Sequence, residues 1–521
     1  MRDEPRRFIF LGSFFSSSMG LSSILRHLSI YTLLSTASLV SSQNATASTG
    51  THATVLILGG GMSGVIAART LYEQGITDFI IVEARDELGG RMQNYTFGVP
   101  GKEYTVELGP NWVQGTQVGD GPANPIYLLA QKHNLTTAFN DWYGSISFYD
   151  YNGYNNYSDV FNDAVDAYTT ATIVAGERVD QQLVDLNLQT GYGIIGAASK
   201  TPQEAASVYY QADWDAQTPE ETSWIASSWS NNYTYDTDVG GFSDSNEMSI
   251  DQRGFKIIVQ EEAAEFLQSQ QLLLNHTVNK ISYSDTGVTV TTTDGTTLTA
   301  DYVLCTFSLG VLQYGDVEFE PSLPSWKVEA IQSSVMATYT KIFLQFPENF
   351  WFDTQMALYA DQQRGRYPVW QSMDVQNFFP GSGIVFVTVT GDFSIRLEGL
   401  PDDQVQAEVM EVLHAMFPNA TIPDPLAFYF PRWNSNPLFR GSYSNWPAAF
   451  NGGHWENLKA TVSDRLWFAG EATSLKYFGF LQGAYFEGLD VAQQMAECVL
   501  GDGCVTLKHV ENVMNAQPYP T

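Results

Sequence analysis

Cysteine is scarce: three residues in a chain of 521. No Cys/His cluster has zinc-ligand spacing, so no metal centre is predicted. Cys498 and Cys504 are close enough for a small disulfide loop, which an oxidising compartment permits. Cys305 lies in the apolar run Tyr302-Val-Leu-Cys305 and reads as an inert buried thiol. Basic residues are also few, 25 Lys and Arg against 57 Asp and Glu, for a formal net charge of −32. Nucleic-acid binding needs clustered Lys and Arg on phosphates and is thereby disfavoured. An acidic surface suits solubility, and at low ionic strength it attracts cations. Long apolar runs are missing too. The stretch from Leu28 to Val40 is short and broken by Ser and Thr, which argues against a membrane span or stable anchor.

That stretch follows Arg26-His27 and precedes Ser41-Ser42, the pattern of a signal peptide over residues 1–42. Its leading segment is long, and a start at Met19 would give a signal of ordinary length. Seven sequons accompany it, at Asn44, Asn94, Asn134, Asn156, Asn232, Asn275 and Asn419. Together they predict a secreted, extracellular glycoprotein. A monomer is expected, although no motif fixes the oligomeric state.

The informative stretch is Val55-Leu-Ile-Leu-Gly-Gly-Gly-Met-Ser-Gly64. Gly59, Gly61 and Gly64 fit G-x-G-x-x-G after a short apolar strand and at the start of a helical run. Glycines there allow a tight turn, close backbone approach to a pyrophosphate, and packing of helix on strand. The helix N-terminus presents N–H groups and a positive dipole end to phosphates. A second strand, Phe79-Ile-Ile-Val82, ends in Glu83, placed to accept ribose hydroxyls. Gly89-Gly90-Arg91 adds a flexible backbone and a guanidinium fork for phosphate.

Residues 112–250, rich in Asn, Asp, Tyr, Ser and Trp, read as a loop-rich cap. Asp251-Gln-Arg-Gly-Phe255 opens a helical stretch, and Val278 to Val311 alternates with period two, as a β-meander. Strands are also expected at Tyr339–Phe346, Gly383–Thr390 and Leu466–Ala469, with a final helix from about Gly483 to Val499. The expected fold is mixed α/β. A discontinuous Rossmann-like cofactor domain takes residues 52–111, 251–315 and 456–500. A second, substrate-binding domain of mixed sheet and helices takes 112–250 and 316–455, and 501–521 form a C-terminal tail.

Several stretches resemble the FAD-dependent amine oxidases, above all the plant and fungal polyamine oxidases. They are Glu107-Leu-Gly-Pro-Asn-Trp-Val113, Asp251–Phe255, Ser308-Leu-Gly-Val-Leu-Gln313, Tyr339-Thr-Lys-Ile-Phe343, Gly441-Ser-Tyr-Ser-Asn-Trp-Pro447 and Gly470-Glu-Ala-Thr-Ser474. The Cys498/Cys504 spacing matches the family as well. The resemblance implies FAD held by Glu83, Arg91, the backbone of Val278, and Glu471. It implies hydride transfer from an amine α-carbon to flavin N5, imine hydrolysis to an aldehyde, and reoxidation by O₂ to H₂O₂. Relatives that attach flavin covalently use a cysteine where this chain reads Leu475-Lys-Tyr-Phe-Gly-Phe480, so noncovalent FAD is expected. Lys341 matches the family lysine that holds a water near the flavin, and Tyr339 shares its strand face. A lone lysine is ordinarily a surface residue; one inside so apolar a strand is less ordinary. Tyr443 and Phe480 match the aromatic pair beside the flavin, and Trp112 a nearby tryptophan.

Two departures concern the substrate. Gln114 stands where polyamine oxidases carry a tunnel acid. An ungapped reading puts Thr218 at the second acidic position, with Asp215, Glu220 and Glu221 nearby. A buried ammonium without a carboxylate is costly, so a pathway-specific amine is an alternative substrate. An L-amino-acid oxidase would need an arginine for the substrate carboxylate, with Arg364, Arg366 and Arg432 as candidates. A non-catalytic flavoprotein of the same fold is the third reading.

Overall fold

The computed structural model describes residues 51–215, 218–448, 450–501 and 504–511. The expected signal segment, Met19, the Asn44 sequon and most of the C-terminal tail lie outside the described residues.

The strand Thr51–Leu58 has Val55 to Leu58 fully buried, the burial pattern of a parallel strand covered on both faces. It pairs in parallel with Phe79–Val82 on one side and Thr297–Cys305 on the other. Leu272–Leu273 extends the first side, and Leu466–Phe468 runs parallel to the second half of Thr297–Cys305. The first half of that long strand pairs instead with the antiparallel hairpin Val278–Ser284 and Gly287–Thr292, the expected meander. Glu318–Glu320 closes the edge, so this sheet reaches a few residues beyond the expected limit at 315.

The helix Met62–Glu73 makes the crossover between the first two strands and crosses the helix Leu481–Leu500 beneath them. Glycine is required at both contacts. A Cβ on Gly64 would stand 2.0 Å from the Gly59 carbonyl oxygen, and one on Gly488 would stand 2.3 Å from that of Ser63.

The second sheet has seven strands, with Tyr339–Gln345 antiparallel to Ile384–Thr390 near its middle. On one face Ile342, Leu344, Val385 and Val387 pack on Val405, Val409 and Val412 of the helix Asp402–Met416. Strand alternation turns Tyr339, Lys341 and Phe343 to the opposite face.

The loop-rich cap expected over 112–250 is corrected. This stretch carries the helices Pro125–Lys132, Ser158–Asp180, Leu188–Ile194, Pro202–Gln211 and Trp224–Tyr235. The residues that read as loop are largely their caps. Asn124, Asn187 and Ser223 accept from backbone N–H groups of the first turns, and Thr201 forms a capping box with Glu204. Leu188, Tyr192, Trp224 and Ile225 then pack with Ala175 and Val208 in one cluster that joins four of these helices.

Cys498 and Cys504 are joined in a disulfide, and Cys305 is a buried free thiol. His133, Glu262 and Glu265 lie close enough to hold a cation. Their carboxylates are already paired, however: Lys132 Nζ reaches both Glu262 and Glu265 at 2.7 Å, and Arg69 also pairs with Glu262.

Candidate active site

The carboxyl ends of the parallel strands open onto a cavity of about 660 Å³, lined by Gly59, Glu83, Thr306 and Glu471 from four strand ends. Ligands of open parallel sheets bind at such a place. Gly59 turns the chain at φ +109°, a conformation only glycine adopts freely. The helix that follows has Gly61 as its cap, with no side chain over its first turn. A Cβ on Gly90 would stand 3.0 Å from Gly61 Cα. Two glycine backbones therefore pass each other and leave space where side chains would intrude.

Glu83 is buried. Its Oε2 accepts from the Gly60 N–H at 2.6 Å and its Oε1 from that of Arg85 at 2.8 Å. Each oxygen keeps a lone pair for a hydroxyl donor. Val278 lines the same limb at the first residue of its strand. Arg91 Nη1 donates to the Ser442 carbonyl and to Glu471 Oε1, both at 2.9 Å. Among the described residues its Nε and Nη2 have no acceptor, so an anion can take them. Glu471 is committed within the protein: Ser444 Oγ donates to Oε2 at 2.6 Å and the Gly479 N–H at 2.9 Å. These glycine approaches, one anchored carboxylate and a half-free guanidinium fit a dinucleotide with a pyrophosphate.

Lys341 is buried on the cavity face of the second sheet. Its Nζ donates to the Glu107 carbonyl at 3.1 Å, the Gly109 carbonyl at 2.6 Å and Asn111 Oδ1 at 2.8 Å. It lies 5.5 Å from the centroid of the Trp112 ring. Burial pulls its amine down to about 7, against the opposing pull of Glu107. Tyr339, Tyr443 and Phe480 all line the cavity. The Tyr339 and Tyr443 rings are 6.1 Å apart, and Phe480 meets Tyr235 edge-on at 6.4 Å.

Beyond them is an aromatic chamber. Trp112, Trp142 and Trp214 meet edge-on with centroids 5.0 to 5.8 Å apart. Asn140 Oδ1 fixes two of them, accepting from Trp112 Nε1 at 2.7 Å and Trp142 Nε1 at 3.0 Å. Gln114 lines this chamber as well. Asp215 is bared to the cavity yet enclosed by protein, and burial pushes its carboxyl up to about 7. Asn231 lies beside it at 3.5 Å and donates to Tyr168 Oη at 2.5 Å.

The expected tunnel position at Thr218 is corrected. Thr218 is not among the lining residues; its hydroxyl caps a turn by donating to Glu221 Oε2 at 3.2 Å. An ungapped alignment could not see that the helix Pro202–Gln211 ends by directing Trp214 and Asp215 inward. Trp142, Trp214, Tyr168 and Asn231 were also not foreseen, since an aromatic in a polar cap carries no motif. None of the arginines considered for a substrate carboxylate lines the cavity. Arg364 pairs with Asp213, Arg366 with Asp361 and Glu411, and Arg432 with Asp402.

A dinucleotide cradle that opens on an aromatic chamber with a buried lysine defines a nucleotide-cofactor oxidoreductase. The family model described as "Flavin containing amine oxidoreductase" matches residues 62–171 and 172–496, and the chain belongs to this family. It is therefore a flavin amine oxidase, and the dinucleotide site makes the flavin FAD. The chain is 36% identical over 477 residues to Polyamine oxidase 1 of Zea mays, covering 86% of this chain and 91% of that one. It is 37% identical over 461 residues to Polyamine oxidase 7 of Oryza sativa subsp. japonica, covering 84% and 93%. A redesigned putrescine oxidase double mutant shares the fold at TM-score 0.66, with 16% identity, over 87% of this chain and all of that one.

Glu471→Ala would leave Arg91, Ser444 and Gly479 without their common acceptor. The expected loss is about 3 kcal/mol, as for a broken buried pair. Thermal unfolding together with the flavin-to-protein absorbance ratio checks this, and both should fall.

Proposed function

We propose that this protein is a secreted, FAD-dependent polyamine oxidase. The observation that carries the substrate class is Asp215, an acid exposed to an enclosed aromatic chamber. A polyamine reacting at one nitrogen brings a second, charged nitrogen several carbons away. A carboxylate can pair with it, and tryptophan faces attract both the cation and its methylene chain. This acid takes the place of those expected at Gln114 and Thr218. The polyamine oxidase relatives support the same class, and the engaged arginines give an amino-acid carboxylate no partner.

When bound, FAD would supply the two-electron oxidation of the amine to an imine, whose hydrolysis gives an aldehyde, with O₂ as final electron acceptor yielding H₂O₂. Glu83 and Arg91 would hold its ribose and phosphate, and the backbones near Gly61 and Val278 line that limb. Glu471 supports the cradle by fixing Arg91, Ser444 and Gly479. No cysteine is placed for a thioether to the cofactor, which supports noncovalent binding: two are spent in the disulfide, the third is buried in a strand, and none lines this cavity. Lys341 as an ammonium satisfies all three of its acceptors. Deprotonated, it keeps two donors and gains a lone pair, which can accept from a water or a substrate amine. Tyr339, Tyr443, Phe480 and Trp112 wall the reacting end and exclude bulk water.

Lys341→Met should slow anaerobic flavin reduction at least about 100-fold with flavin still bound, the scale of losing a general acid–base group. Stopped-flow rates equal to wild type would remove the lysine from the chemistry. Asp215→Asn should raise KM for spermidine about 10- to 100-fold, the scale of a lost buried charge pair, and leave a monoamine little changed. Because burial pushes the Asp215 carboxyl up to about 7, KM for spermidine should fall as pH rises through 7 in wild type. The variant should lose that dependence in initial-rate measurements across pH.

Secretion is proposed from the signal pattern. The Asn134, Asn156, Asn275 and Asn419 sequons are exposed and open to glycans. Asn94 packs against Gly254, where an added Cβ would stand 1.7 Å from its Nδ2. N-terminal sequencing of protein from the medium should begin near residue 43, with glycopeptides at the four exposed sites. Intracellular retention of an uncleaved chain would refute the assignment.

A further inference from the structure

One buried acid beside Lys341 belongs to neither the dinucleotide limb nor the aromatic chamber. Glu107 ends the strand Tyr104–Glu107 and is 6% exposed. Its Oε1 accepts the Phe255 N–H at 2.6 Å, while its Oε2 has no hydrogen-bond partner among the described residues. Its carbonyl oxygen accepts from Lys341 Nζ. The charged groups facing its carboxyl are Lys341, from the second sheet, and Lys256 and Asp251, from the segment that supplies Phe255. Two of the three are already matched. Asp251 accepts from Arg253 Nε and Nη2 at 3.0 and 2.8 Å, and Lys256 Nζ reaches both oxygens of Glu87 at 2.8 and 2.6 Å. Lys341 has no carboxylate in contact, and Glu107 is the charge that acts on it.

We propose that Glu107 is a positioning residue that acts through Lys341: its carbonyl fixes the amine, and its carboxyl governs whether that amine carries a proton. The proposal rests on the role given to Lys341 above. An ionised Glu107 favours the ammonium; a protonated Glu107 releases it. The unpartnered Oε2 can take a proton without breaking the bond from Phe255. Burial pushes the acid up to about 7 and the amine down to about 7, so the two change charge over the same pH range.

The test is Glu107→Gln in the holoenzyme, which keeps the shape and an acceptor for Phe255. Removing the negative charge disfavours the ammonium, so the neutral amine persists to lower pH. The rising limb of flavin reduction against pH should move acidward by about one pH unit, with flavin content and unfolding midpoint held. An unmoved limb in Glu107→Gln, when Lys341→Met abolishes that limb, overturns the inference and leaves the lysine's role standing. Rates unchanged by Lys341→Met would instead overturn the underlying role. A second readout needs neither turnover nor a folded Gln variant. In pH-difference infrared spectra of wild type several buried carboxyls, Asp215 among them, titrate near pH 7, and Lys341→Met should shift the midpoint of one component, the Glu107 C=O band. No midpoint change between the two refutes the coupling.

Discussion

The carboxylate of Glu471 is the interaction on which the site's assembly depends. It gathers Arg91, Ser444 and Gly479, which lie far apart along the chain. Arg91 belongs to the segment after the first crossover, Ser444 to a short strand that pairs with Val335–Ala337, and Gly479 to the turn before the last helix. A carboxylate with several charge-assisted donors is strong and directional. It sets how the dinucleotide limb meets the walls bearing Tyr443 and Phe480. The parallel sheet supplies the platform, and this acid decides what stands over it.

The cradle was legible in the sequence because it is local. One strand, three glycines, one helix and an acid follow within thirty residues, and each has its own physical requirement. The disulfide was legible for the same reason. The helices between 112 and 250 were not, because Asn, Ser and Thr signal loops and helix caps alike, and only packing tells the two apart. Asp215 and Thr218 show the limit more sharply. They are three positions apart, yet one lines the cavity and the other sits on a turn. Glu107 sits in a recognisable motif, yet its burial and its open oxygen arise from a strand and a loop over 140 residues apart.

The segment from Glu107 to Gln114 concentrates several of these roles. Its first five residues supply all three acceptors around Lys341, its tryptophan forms one wall of the chamber, and its last residue faces the substrate limb. Substrate preference and the setting of the lysine are therefore mechanically linked through one short stretch of backbone. A Cβ on Gly109, in the middle of it, would stand 2.0 Å from the Arg91 carbonyl oxygen, so the stretch has little room to shift.

Four of the chain's twelve tryptophans, Trp112, Trp142, Trp214 and Trp433, line this one cavity. Their indoles sit where cofactor and substrate must lie, so the protein carries its own optical gauge. Ultraviolet emission will be dim while a yellow chromophore quenches these rings by energy transfer and will brighten when it departs. Filling and emptying of the site can thus be followed without any added dye.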